Sequence, residues 1–205
     1  MLAERGKLDD LLLQRRQVRS FDSRAVPGRV LSDLLEAAHS APSVGNSKPW
    51  RIVRIDSDVA RQLLGEIFDR ADAQTRITLP PEKLAAYDRL NVRGFLNAPV
   101  QLSFFAAAQP DAGYGQGSAT QPEAFAYSTV LAMHSMWLKA SDLGLGFNWC
   151  STLYPSEMEK TFRKCSDWKF VGHAALGYPI NPSSEKPKSE SCGFQVAPAI
   201  QTYSV

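Results

Sequence analysis

A chain of 205 residues, 44% hydrophobic and 21% charged, has the length and composition of one globular domain able to bury a sizeable core. A formal net charge of +2 is too small to suggest a nucleic-acid or anionic-membrane partner, so any anion site must be local. No apolar run approaches the roughly 18 residues of a membrane helix, residues 1–10 lack a signal-peptide core, and Cys150, Cys165 and Cys192 show no C-x-x-C spacing; a cytoplasmic protein without disulfides or a zinc site is expected.

Residues 7–16 carry Leu8, Leu11 and Leu12 at helical spacing and run into Arg15-Arg16-Gln17-Val18-Arg19-Ser20-Phe21, the densest positive charge in the chain. Three arginines there serve either as a solvated helix end or as a phosphate clamp, because guanidinium groups present paired donors to phosphate oxygens. Residues 27–40 form an amphipathic helix with Val30, Leu31, Leu34, Leu35 and Ala38 on one face. The stretch Ala41-Pro-Ser-Val-Gly-Asn-Ser-Lys-Pro-Trp50 follows. Two prolines stiffen it, while Gly45 and Asn46 tolerate left-handed backbone. It reads as a rigid loop whose free N–H groups and small polar side chains suit a planar polar or phosphorylated ligand, or as a plain connector.

Residues 51–56 have strand composition. Residues 58–70 and 82–97 look helical, broken around Leu79-Pro80-Pro81. Residues 99–108 read as a buried strand, and residues 109–123, with three glycines and two prolines, as a long irregular loop of the kind that forms lids. Residues 126–143 are apolar around most of a helical circumference and are expected at the centre of the fold. After Gly144-Leu145-Gly146 come a strand over 147–151, a helix over 156–165 with Ser156 and Glu159 in capping-box spacing, and a strand over 169–178. The order lacks β-α-β alternation and a G-x-G-x-x-G turn, which excludes a Rossmann sheet and predicts a single α+β domain over 1–205, with 181–205 an irregular tail.

His39, His134 and His173 do not pair at metal-ligand spacing and are expected in the core or at the surface. No G-x-S-x-G elbow, Walker loop or H-E-x-x-H helix occurs, so neither a Ser-His-Asp hydrolase nor a metal site is supported. What remains, an arginine cluster, a Ser/Asn/Gly loop and a strand with polar ends, suits a large planar ligand with a phosphate, such as flavin mononucleotide.

The arginine segment, the 41–50 loop, Gly144-Leu145-Gly146 and Gly177-Tyr178-Pro179 resemble, in order and spacing, the signatures of the FMN-dependent nitroreductase superfamily over about residues 10 to 180. Four stretches are similar to its dimethylbenzimidazole synthase branch, whose members make that benzimidazole from reduced FMN and oxygen: Ala38 to Gly45, Asn91 to Pro99, Pro122-Glu123 followed by Tyr127 to Val130, and Trp149 to Leu153. The resemblance implies a nitroreductase-like fold, with a mixed central sheet flanked by helices, and an interleaved homodimer with FMN at each interface. It implies that Arg15, Arg16 and Arg19, with Lys188 of the tail, hold the FMN phosphate. Pro42, Ser43, Val44, Gly45 and Asn46 would come from the other subunit, and the tail could wrap on that subunit. Trp149, Cys150 and Ser151 would lie over the flavin ring, presenting backbone N–H and a hydroxyl to its reactive edge.

Gln17 departs from the branch, which has aspartate in this slot, and from ordinary nitroreductases, which usually have serine. A glutamine can hydrogen-bond the flavin but exchanges no proton near neutral pH. With Ser151 and Gln17 as candidate catalytic residues, three functions stand open. They are an oxygen-dependent reaction of reduced FMN, an NAD(P)H-dependent reduction of nitro, quinone or enone acceptors, and flavin binding without turnover.

Overall fold

Every residue of the strand Val100–Ala107 is buried, because helices cover both faces of the sheet in which it is central. The computed structural model describes residues 7–180. They form α1 (Lys7–Gln14), α2 (Gly28–His39), β1 (Trp50–Arg54), α3 (Asp58–Thr78), α4 (Pro81–Asp88), β2 (Val100–Ala107), α5 (Ala124–Asp142), β3 (Gly146–Cys150), α6 (Pro155–Phe162) and β4 (Trp168–Gly177), with 3₁₀ turns at Val44–Asn46 and Val92–Asn97. Strand order is β1-β2-β4-β3 and each pairing is antiparallel. Among the described residues, the parallel component of the expected mixed sheet is a single bridge between Gln17 and Phe147.

Side chains on alternate faces of β2 feed two cores. Val100, Leu102 and Phe104 pack with Leu34 of α2 and Met133 and Met136 of α5. Phe105 packs on the other face with Leu64 and Phe68 of α3, Phe95, and Met158 of α6. Burying each such aromatic or aliphatic side chain stabilises the fold by about 1.5–3 kcal/mol. The helix over residues 126–143 is central as expected, lying across all four strands. It nonetheless leaves Tyr127 and Leu131 exposed, one turn apart on its outer face.

Other expectations are adjusted by local geometry. The helix expected over 82–97 divides at Asn91, whose φ of 48° lies in the left-handed region and turns the chain into the 3₁₀ segment. The helix before it runs to Thr78 and stops at the two prolines, as Pro80 and Pro81 require. The capping box at Ser156 is absent: Tyr154 occupies the cap, Pro155 opens α6, and the Glu159 carboxylate turns to accept the Phe170 N–H at 3.1 Å.

On the α3 face of the sheet, Gln101, Ser103 and His173 are fully buried and satisfy one another. The Gln101 Nε2 group donates to the carbonyls of Phe95 (2.8 Å) and Ala98 (3.1 Å), so its Oε1 faces His173 Nε2 at 2.6 Å and accepts a hydrogen bond from its N–H. Nδ1 is then the acceptor for the Ser103 hydroxyl at 2.9 Å. This histidine is a structural linker of β2 and β4 with its ring held neutral; burial, aided by the Arg61 charge, pushes its pKa down to about 3. The unfolded chain takes up this proton near pH 6.5. Stability present above that pH is therefore lost as pH falls toward 3, by about 1.4 kcal/mol per pH unit. NMR shifts of the His173 ring carbons are expected to stay those of neutral imidazole at about pH 5, where an exposed histidine is charged.

Candidate functional site

The arginine segment leaves α1 and runs along the open edge of β3. The Val18 N–H donates to the Phe147 carbonyl at 3.0 Å, and the Val18 carbonyl accepts from Asn148 Nδ2 at 2.7 Å. Gly146 gives Val18 its room, since a Cβ there would lie 2.8 Å from the valine side chain. Beyond Val18 the chain crosses the 3₁₀ segment at Gly94, where a Cβ would sit 2.1 Å from the Arg19 carbonyl oxygen. Asn91 Nδ2 donates to that same carbonyl at 3.3 Å.

The three arginines divide. Arg16 turns back and donates through Nη1 to the carbonyls of Leu13 (2.6 Å) and Arg15 (3.0 Å), meeting the unsatisfied end of α1. Arg15 lies over the Trp137 ring of α5, 4.2 Å from its centroid, and its Nε is buried without a partner among the described residues. Burial, then the neighbouring Arg16 charge, lowers its pKa from the usual arginine value. Leaving such a donor unsatisfied costs about 1–3 kcal/mol, a penalty a phosphate oxygen would remove. Arg19 makes no side-chain hydrogen bond or ion pair among the described residues, and its positive charge acts on Cys150 at the end of β3. Arg15 and Arg19 are thus the two arginines of the segment whose side chains have hydrogen-bonding capacity to spare among the described residues, whereas Arg16 is already engaged.

Gln17 is bonded at both ends of its carboxamide to one residue. Its Nε2 donates to the Trp149 carbonyl at 2.6 Å and its Oε1 accepts the Trp149 N–H at 3.1 Å. The expected presentation of N–H groups by residues 149–151 is therefore corrected at Trp149, whose N–H is taken inside the chain. Cys150 points into the core, and burial pushes its thiol up to about 12, so it stays protonated. Ser151 is exposed just past the end of β3. Among the described residues, no three His, Cys, Asp or Glu side chains gather as a metal site.

The 41–50 loop sits elsewhere. Its N–H groups, expected to be free, are largely satisfied internally: Val44 N–H by Ser128 Oγ (3.0 Å), Lys48 N–H by Ser43 Oγ (3.0 Å), Asn46 N–H by the Ser43 carbonyl and Ser47 N–H by that of Val44. Gly45, at φ 55°, lies against the 109–123 loop; a Cβ there would be 3.1 Å from the carbonyls of Gly113 and Gln116. That second loop lines a cavity of about 370 Å³ with Pro110, Tyr114, Ser118 and Phe125. What the 41–50 loop offers outward is Pro42 and Asn46, both exposed. Its anchor, Ser128, and the arginine anchor, Trp137, are nine residues apart on α5, about 13 Å along a helix axis. Within one chain, residues 42–46 and Arg15 are thus fastened to separate turns of α5. Lys188 lies outside the described residues.

Comparison with known proteins assigns this architecture. The profile described as Nitroreductase family matches residues 12–178. The chain belongs to the nitroreductase family. It is 39% identical over 191 residues, 93% of this chain and 90% of the other, to a 5,6-dimethylbenzimidazole synthase of Rhodospirillum rubrum. It is 27% identical over 89% of each chain to a putative NAD(P)H nitroreductase, YfhC, of Bacillus subtilis. A crystal structure of oxidized iodotyrosine deiodinase bound to FMN and 3-iodo-L-tyrosine superposes with a TM-score of 0.74 at 22% identity, covering 96% of this chain and all of the other, and shares the fold.

In this nitroreductase-family chain, Trp137, Ser128, Asn91, Asn148 and Gly94 support the candidate site, a role that no local pattern of residues indicates. Asn91, Gly94 and Ser128 fall in stretches that resemble the synthase branch, but the sequence gives none of them a role. Substitution of Gly94 gives a direct test. Gly94→Ala is expected to cost about 1–3 kcal/mol in denaturant unfolding, because the Arg19 backbone or the 3₁₀ segment must move away. Gly28→Ala, which meets open space, is expected to be neutral or mildly stabilising.

Proposed function

We propose that this nitroreductase-family protein is an FMN-dependent oxidoreductase acting as a homodimer, and that its reaction is oxygen-dependent chemistry on reduced FMN of the class performed by its synthase relatives. The observation that carries the cofactor is the buried, unpartnered Nε of Arg15, on a segment that also carries Arg19 and bridges to the edge strand β3, which ends one residue before Ser151. The reaction class rests on the identity of 39% along nearly the whole chain to a dimethylbenzimidazole synthase. When bound, FMN supplies the one- and two-electron chemistry; the protein supplies position and charge.

Each residue then has a physical role. Arg15 and Arg19 hold the phosphate by charge-assisted hydrogen bonds, and Trp137 keeps the Arg15 guanidinium flat against α5. The exposed Ser151 hydroxyl is the protein's donor to the reactive edge of the ring. Pro42 and Asn46 reach the flavin of the partner subunit, which accounts for a loop anchored some 13 Å along α5 from the arginines of its own chain. The outer face of α5, with Tyr127 and Leu131 exposed, together with the exposed Leu8, Leu12 and Leu13 of α1, provides the apolar area that such an interface needs. Among the described residues no helix is long and apolar enough to cross a membrane, and a cytoplasmic location suits a supply of reduced nucleotides.

A second reading, NAD(P)H-dependent reduction of a nitro, quinone or enone acceptor, is favoured by Gln17, which places a non-ionising amide where the synthase branch has an acid.

Aerobic incubation of the protein with reduced FMN, followed by chromatography, is expected to yield a benzimidazole. No benzimidazole, together with bleaching of the yellow protein by NADH or NADPH and reoxidation by a nitroaromatic or quinone, would give the second reading. Arg19→Ala is expected to lose bound FMN on dialysis by about tenfold or more in affinity; full flavin occupancy in that variant counts against the clamp. Leu131→Asp is expected to elute as a monomer in light-scattering chromatography and to lose its flavin at the same time.

A further inference from the structure

The residue at position 17 does something no ionised acid could do there. A continued parallel ladder along β3 would pair the Trp149 N–H with the Val18 carbonyl, but that carbonyl is taken by Asn148, and the chain turns away toward Gly94. Trp149 would be left with an open N–H and C=O at the edge of the sheet. The Gln17 carboxamide meets both, at 3.1 Å and 2.6 Å, with the donor and acceptor geometry of a peptide group. Glutamine and asparagine carry a donor and an acceptor on one planar amide whatever the pH, and glutamine has the extra methylene. An ionised carboxylate has acceptors only and would set negative charge against the Trp149 carbonyl.

We propose that Gln17 is a positioning residue: its carboxamide acts as a surrogate peptide unit that continues the β3 ladder by one rung and fixes Trp149, and through it the Cys150–Ser151 strand end. This lets the backbone leave the strand early enough to carry Arg19 to the anion site. The link from Ser151 to the cofactor rests on the function proposed above; the clip itself does not. At this position proton exchange is given up for register, so protons needed at the ring edge pass through the Ser151 hydroxyl or solvent rather than through residue 17.

The test uses the full chain, flavin-loaded and flavin-free, as wild type, Gln17→Met and Gln17→Glu. Site-resolved hydrogen exchange is read at Trp149, with Leu102 of the central strand as the reference for global stability. Gln17→Met is expected to speed exchange at Trp149 by about tenfold or more in both forms, with Leu102 changed by less than about twofold. Equal Trp149 exchange in Gln17→Met and wild type overturns the proposal. Gln17→Glu separates a two-way bond from filled space, since its carboxylate only accepts whereas its protonated form both accepts and donates. The visible circular dichroism of flavin bound to Gln17→Glu is expected to differ from wild type at about pH 8 and to approach it below about pH 4, where a glutamate takes up its proton. A spectrum identical to wild type at both pH values overturns the two-way bond. If wild type retains no FMN, the cofactor reading fails, and exchange at Trp149 in the flavin-free chain still decides the clip.

Discussion

The attachment of residues 17 and 18 to β3 is the constraint on which the site depends. One backbone rung and one side-chain amide hold an otherwise irregular segment against the sheet edge, and the segment carries Arg15 on one side of that attachment and Arg19 on the other. Because β3 is itself paired antiparallel with β4, the segment that carries the arginines is referenced to the hydrogen-bonded sheet. A clamp built on a free helix end would have to order itself on binding and would lose affinity to that cost. Here the ordering is done on folding.

α5 gives the second organising element. Its inner face, Ala132, Met133, Met136 and Ala140, packs on the sheet, while Trp137 supports Arg15 and Ser128 holds the 41–50 loop. A single rigid helix therefore sets the distance between the piece of the site a subunit keeps and the piece that the proposed dimer has it lend. In such an arrangement association and cofactor binding are linked, since neither half of the site is complete in one chain.

The polar groups buried in the fold separate by role. Ser103, His173 and Gln101 close a chain of hydrogen bonds with no donor or acceptor left over, so they fix the pairing of β2 with β4 and offer nothing to a ligand. Arg15 Nε, buried and unmatched, is the opposite case. Satisfied networks mark architecture, and the open donor of Arg15 is the group with bonding capacity left for an anion.

Periodicity and punctuation in the sequence determined the elements: the amphipathic stripe of α2, the apolar helix α5, the breaks at Pro80 and Pro155, and the buried strand β2 each follow from local patterns of residues. The ordered set of short motifs also determined the family, which the profile match over 12–178 bears out. Only tertiary structure decided which polar groups are spent. That Arg16 turns back onto α1, that the loop's N–H groups close on themselves and on Ser128, and that Gln17 pairs with a strand 132 residues away are matters of which partner lies within about 3 Å. A hydrogen bond is fixed by distance and direction in space, and no spacing along the chain encodes either.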